Sequence, residues 1–223
     1  QIAQENNLFL VEDGAPGLGA EYKGKKICSF GDIAITSFHA AKNFTTVEGG
    51  MIFTYNDEYV KKARIIRAQG EDPDNKYHHP VLGHNFRMTD INAAIGLAQT
   101  ARMEKVLSSR RMAAEYYISK LCDHKSIAIP YVKTDCVHAW FLFPILISNR
   151  DKVKNYLFEK DITANVSWPM PVYDQKIYKP FKKGICPVAE EITKKNLCLP
   201  MYYQITREEQ DYVIEHLIDA VER

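Results

Sequence analysis

Apolar positions in the first third of the chain come as short runs, not as stripes. "LFLVED" (8–13) is four apolar residues ending in two acids, the pattern of a buried strand whose functional end is its carboxyl tip. "DIAITSF" (32–38) predicts a second buried strand, and "GGMIFTYN" (49–56) a third, opened by Gly49-Gly50. Ahead of them "QIAQENN" reads as the last turns of a helix feeding the first strand, and "AEYKGKKI" as a small hairpin around Lys23-Gly24-Lys25. The period then changes. Tyr59, Val60, Ala63, Ile66 and Arg67 recur at helical spacing behind a cap at Asn56 or Asp57. A long polar loop, "GEDPDNKYHHPVLGHNFRM", leads to a helical region capped by Thr89 or Asp90 and continuing to about Leu121. Its first part, "AAIGLAQT", is rich in small residues, which lets another element approach closely.

From about Ser126 the texture shifts. "WFLFPILIS" predicts a strand, "DKVKNYLFEK" a helix, "ITANVSW" a strand and "WPMPVY" an irregular loop. "VAEEITKKN" predicts a helix, and "TREEQDYVIEHLIDAVE" a final helix opened by a Thr206-x-x-Glu209 capping box. The order is mixed α/β throughout. A boundary in the long helix near residue 115 divides it into domains 1–115 and 116–223.

Composition narrows the class. At 223 residues, 46% hydrophobic and 26% charged, the chain can bury a core of ordinary globular kind. Net charge is +1 with Lys and Arg scattered, so nothing favours nucleic acid or an anionic membrane, and no apolar run approaches the roughly 20 residues of a spanning helix. The five cysteines (Cys28, Cys122, Cys136, Cys186, Cys198) form no CxxC pair, which predicts reduced thiols in a cytoplasm and no metal site.

Candidate chemistry gathers in "ITSFHAAKNFTTVEGG" (35–50), where a strand runs into Lys42. In open α/β sheets ligands collect at the carboxyl ends of strands, so Asp13, ending one strand, and Lys42, following another, can face one crevice. The two also suit a structural ion pair. With Ser37 offering a hydroxyl to an anion, a lysine and an upstream aspartate suit pyridoxal 5'-phosphate, the lysine condensing with its aldehyde and the carboxylate keeping its ring nitrogen protonated.

The same residues carry a resemblance. "VEDGAPGLGAEYKGKKICSFGD", "SFHAAKNFTTVEGGMIFT" and "GHNFRMTDINAAIGLAQ" resemble, in order and spacing, the signature blocks of the DegT/DnrJ/EryC1/StrS aminotransferases. "HAWFLFPI", "ITANVSWPMPVY", "PVAEEI" and "LCLPMYYQIT" resemble that family's small domain. The resemblance implies the C-terminal part of a fold-type-I large domain, with a mixed, mainly parallel sheet, plus a smaller α/β domain. It implies a pyridoxal-phosphate enzyme that moves an amino group from an amino acid, glutamate, to a nucleotide-linked keto sugar in amino-sugar and polysaccharide biosynthesis. By the same resemblance Lys42 is the aldehyde-bonding lysine, Asp13 the partner of the ring nitrogen, Ala15 the small residue on the ring face and Ser37 a phosphate ligand. Asn85 matches an asparagine that reaches the cofactor phosphate of an opposite subunit, implying a homodimer with shared sites. His39 and Arg87 fall where substrate is met, although His39 equally suits a loop histidine bonded to backbone and Arg87 an interface or ion-pair arginine.

The chain departs from the pattern at three positions: Pro16 where Gln, Glu or His is usual, and Val47 and Cys28 where Gly is common. The family's phosphate-holding Gly-Thr or Gly-Ser turn and its ring-stacking aromatic would lie upstream of Gln1. The expectation is that the 223 residues alone bind little or no cofactor. Two other readings stand beside the aminotransferase: a sugar dehydratase on the same scaffold, against which Lys42 speaks, and a non-catalytic remnant serving as a binding or dimerisation module.

Overall fold

The computed structural model describes residues 1–223, which form two compact units, Gln1–Lys105 with Thr134–Ala139, and Val106–Lys133 with Trp140–Arg223. In chain order the elements are α1 (Ile2–Glu5), β1 (Val11–Asp13), β2 (Glu21–Tyr22), β3 (Lys25–Lys26), β4 (Ile33–Ser37), β5 (Gly50–Phe53) and α2 (Asp57–Arg67). They continue with α3 (Asp90–Leu121), β6 (Ile127–Ala128), β7 (Cys136–Val137), β8 (Phe143–Ile147), α4 (Arg150–Glu159), α5 (Pro187–Lys195), β9 (Asn196–Leu199) and α6 (Arg207–Glu222).

In the first unit the central sheet has the order β1-β4-β5. β1 and β4 run parallel, Asp13 opposite Ile35, because the chain between them makes a separate excursion. β4 and β5 run antiparallel, Ser37 opposite Gly50, because only the 38–49 loop joins them and no crossover element intervenes. The sheet is therefore mixed, not mainly parallel, and the other two sheets are wholly antiparallel. Nor are its strands buried on both faces. Along β4, Ala34 and Thr36 are buried while Ile35 is 40% exposed, and Val11 (58%) and Ile52 (51%) flank it. An apolar run predicts two covered faces; here one is covered and the other is open.

The hairpin forms where the sequence indicates. Lys23 (φ 49°) and Gly24 (φ 74°) are both left-handed, as a two-residue turn that follows strand twist requires, and Glu21 pairs with Lys26. β7 extends this ribbon antiparallel to β2. α2 is capped by Asn56, whose Oδ1 accepts from the N–H groups of Glu58 (2.9 Å) and Tyr59 (3.3 Å). Thr89 opens α3: its Oγ1 accepts from Asn92 N–H at 3.2 Å.

The second unit builds its core on the antiparallel sheet β6-β8-β9. Phe143, Ile145 and Ile147 alternate inward from β8, and Tyr117, Leu157 and Leu217 bring α3, α4 and α6 onto the same cluster. β9 is buried along its whole length. The strand expected over 162–168 reduces to one bridge, Asn165 to Cys198. Trp168 (φ 51°) turns the chain away before Pro169, so the ladder stops. α6 begins with the expected box: Glu209 N–H donates to Thr206 Oγ1 (3.2 Å), and Thr206 N–H donates to Glu209 Oε2 (2.8 Å).

Candidate functional site

Parallel pairing of β1 with β4 puts Asp13 and Ser37 at the same end of adjacent strands, where the 38–49 loop carrying His39 and Lys42 also starts. Asp13 is exposed, and its Oδ1 accepts from Ala15 N–H at 3.0 Å, which folds the chain sharply at the strand tip. Gly14 N–H donates to Ile35 O (2.9 Å) and Thr36 Oγ1 to Gly14 O (3.3 Å), locking that tip to β4. Pro16 lies exposed in the turn that follows.

The lysine loop is held mostly by itself. Phe38 N–H donates to Gly49 O and Thr46 N–H to Phe38 O, both at 2.9 Å, which closes the loop's neck. Phe38 and Phe44 pack their rings 4.7 Å apart inside it. Gly49 is required at that neck: a Cβ there would sit 2.6 Å from Thr46 Oγ1 and 2.8 Å from Met88 Cε. Ser37 Oγ accepts from His39 N–H (3.3 Å), and Lys42 N–H donates to His39 O (2.9 Å). His39 turns both ring nitrogens onto the loop. Nδ1 accepts from Ala41 N–H at 3.2 Å, and Nε2 stands 3.7 Å from Glu48 Oε1. The side chain remains half exposed to solvent.

Asn85 and Arg87 belong to a different segment. Arg87 Nε donates to Asn85 Oδ1 (3.1 Å), and Asn85 bridges Ala68 just past α2. Gly83 allows the close approach that makes this possible, since a Cβ there would lie 2.1 Å from Gly70 N. Both Asn85 and Arg87 are exposed.

Two residues beside the expected ones matter to this geometry. Glu12, the first acid of "VED", is half-buried and accepts from the N–H groups of Cys28, Phe30 (3.0 Å) and Gly31 (3.3 Å), which anchors the turn before β4. Cys28 lies against that carboxylate. Burial, then the charges of Glu12 and Asp13, push its thiol pKa up. Asn43 follows Lys42 directly and donates from Nδ2 to Ala139 O at 2.7 Å. Glu12 was visible as one of two acids; for Asn43 the sequence carried no signal, because its partner is 96 residues away.

A mixed α/β fold with a strand-end aspartate, a serine and a loop lysine defines a class, and comparison gives the family. The chain belongs to the DegT/DnrJ/EryC1/StrS aminotransferase family, whose sequence profile matches residues 1–218. It is 35% identical to GDP-perosamine synthase of Caulobacter vibrioides over 97% of this chain and 60% of that protein. Among solved structures it superposes on DesV of S. venezuelae, captured with a ketimine intermediate, with a TM-score of 0.93 and 28% identity, covering 100% of this chain and 60% of that one. It also superposes on Spr1654 of Streptococcus pneumoniae in its PLP form (TM-score 0.88, 27% identity, 100% and 60% coverage). The chain thus spans about 60% of the length of the relatives it matches.

Proposed function

We propose that this chain carries the lysine and carboxylate of a pyridoxal-phosphate-dependent aminotransferase acting on a nucleotide-linked keto sugar, with glutamate as amine donor. The observation that carries the reading is the gathering of Asp13, Ser37 and the Lys42 loop at one end of two adjacent parallel strands. The donor set fits the cofactor: an amine for its aldehyde, a carboxylate for its ring nitrogen and a hydroxyl for its phosphate. Bound, pyridoxal phosphate supplies an aldehyde that condenses with amines and a ring that takes up the electron pair left when a carbon loses its proton.

In this reading Lys42 Nζ would hold the cofactor through its aldehyde and would move the proton at the substrate carbon. Asp13, whose Oδ1 accepts from Ala15 N–H, would pair its carboxylate with the ring nitrogen. Ala15 leaves the ring face uncrowded, and Ser37 donates to the phosphate. Asn85 serves the phosphate of a second subunit in a homodimer, and Arg87 meets the anionic substrate. Residues 1–115 belong to the cofactor domain and 116–223 to the small domain of a cytoplasmic enzyme. The relatives named above as a perosamine synthase and a ketimine-bound enzyme support the reaction class.

Borohydride reduction in the presence of pyridoxal phosphate, followed by peptide mass spectrometry, tests the assignment. At pyridoxal phosphate concentrations high enough to offset the weak binding expected of these 223 residues, label is expected on Lys42 and absent from Lys42→Ala, with the variant's circular dichroism unchanged. Label of equal yield on the exposed hairpin lysines, Lys23 and Lys25, would overturn it.

A further inference from the structure

We infer that Asn43 is a positioning residue for Lys42, an inference that rests on the reading of Lys42 as the reactive amine. The bonds closing the 38–49 loop are internal to it: Phe38 to Gly49, Thr46 to Phe38, Lys42 to His39 and Ala41 to His39. Such a loop keeps its own shape, and its buried Phe44 and Thr46 rest beside Gly96 of α3. Two amide side chains fasten it to other segments of the unit. Asn92 Nδ2 donates to Glu48 O at 2.8 Å beside the neck, and Asn43 Nδ2 donates to Ala139 O at 2.7 Å beside the lysine. Ala139 is 3% exposed, so the anchor is a buried carbonyl. Asn43 is joined to Lys42 by one planar peptide unit, and holding its side chain inward fixes the direction in which the lysine leaves the backbone.

Packing alone does not account for an amide here. Asn43 Oδ1 is buried with no hydrogen-bond partner, an uncompensated loss of hydration that an apolar side chain of the same shape would avoid. What the amide contributes at this position is its N–H donor to Ala139 O. Asn43→Leu exchanges one orphaned acceptor, Oδ1, for another, the Ala139 carbonyl, so stability should change little while the tether is lost. Asn43→Asp keeps the shape and has no N–H to donate.

The test is the time course of borohydride-trapped pyridoxal phosphate on Lys42 across cofactor concentrations, with the label on Lys23 and Lys25 as internal reference. A tether that aims the amine predicts a trapping rate at saturation at least fivefold lower in both variants. The half-saturating concentration, the hairpin labelling and the Asn43→Leu thermal midpoint should stay where they are in the unaltered chain. If Asn43→Leu does not fold, Asn43→Asp decides. An unchanged saturating rate at Lys42, or a fall matched by the hairpin lysines, overturns the role of Asn43. Lys42 labelled no faster than Lys23 and Lys25 in the unaltered chain overturns the lysine assignment beneath it.

Discussion

At the scale of the residue, backbone conformation explains two departures from the family pattern. Val47 stands at φ 71° and Cys28 at φ 66°, in the left-handed region where a side chain is disfavoured and glycine is not. Val47 is the more strained, because β-branching crowds its own backbone, and it is 54% exposed, so its side chain returns little packing. Relief of that strain, of order 1–3 kcal/mol, outweighs the added unfolded-state freedom of glycine, of order 0.5–1 kcal/mol. Val47→Gly should therefore stabilise the protein by about 1 kcal/mol, read as a rise in urea midpoint at unchanged slope. Cys28 is bound up with its neighbours: its N–H donates to Glu12, and its thiol lies 3.7 Å from Ile35 O. Burial first and the Glu12 and Asp13 carboxylates second hold that thiol protonated to higher pH. Glu12→Gln removes one of the charges, so iodoacetamide should modify Cys28 from a lower pH than in the unaltered chain. An unmoved onset would leave burial and the Asp13 charge as the causes.

At the scale of the element, helix termini show which local signals hold. Asn56, Thr89 and the Thr206–Glu209 box cap the helices whose starts they marked in the sequence, because an N-cap bond needs only residues two or three apart. Thr206→Ala should cost about 1 kcal/mol in urea unfolding at pH 7. The Glu209 carboxyl has its pKa lowered by the Thr206 N–H, and then by Tyr202. A carboxylate held below its unfolded value stabilises above that value, about 4.3, and the contribution is lost as pH falls through the folded one. Glu209→Gln should thus weaken the protein at pH 7, and the difference from the unaltered chain should shrink as pH falls below about 4.3. Strands behaved differently. β9 went unread and the 162–168 strand shrank to a bridge, since pairing depends on a partner that local sequence does not name.

At the scale of the whole molecule, the two units differ in how well they close. The second has a continuous core with Tyr117, Phe143, Leu157 and Leu217 fully buried. The first has buried residues on one side of its sheet, whereas Leu8 (59%), Phe9 (55%), Leu10 (42%), Val11 (58%) and Ile52 (51%) are exposed. Apolar surface left in water binds apolar probes and drives association. The chain should bind an apolar fluorescent dye at neutral pH without denaturant and sediment in a concentration-dependent way. Leu10→Lys with Ile52→Lys should reduce both signals, and no dye binding by the unaltered chain would show that this face is covered in solution.

By itself the sequence determined most of the alternation of helices and strands, the hairpin at Lys23-Gly24, the caps, and the family to which the chain belongs. Each of these depends on neighbours a few residues apart or on a motif of fixed spacing. Only the tertiary structure decided the rest. β5 returns antiparallel because a loop and not a crossover precedes it; Glu12 anchors three backbone groups in the turn before β4; Asn43 ties the lysine loop to Ala139; and His39 accepts at Nδ1 from its own loop. Those facts depend on contacts between segments distant in the chain, or on the exact path of a loop, and the free energy that fixes them is set by packing and hydrogen bonding that no single stretch of sequence contains.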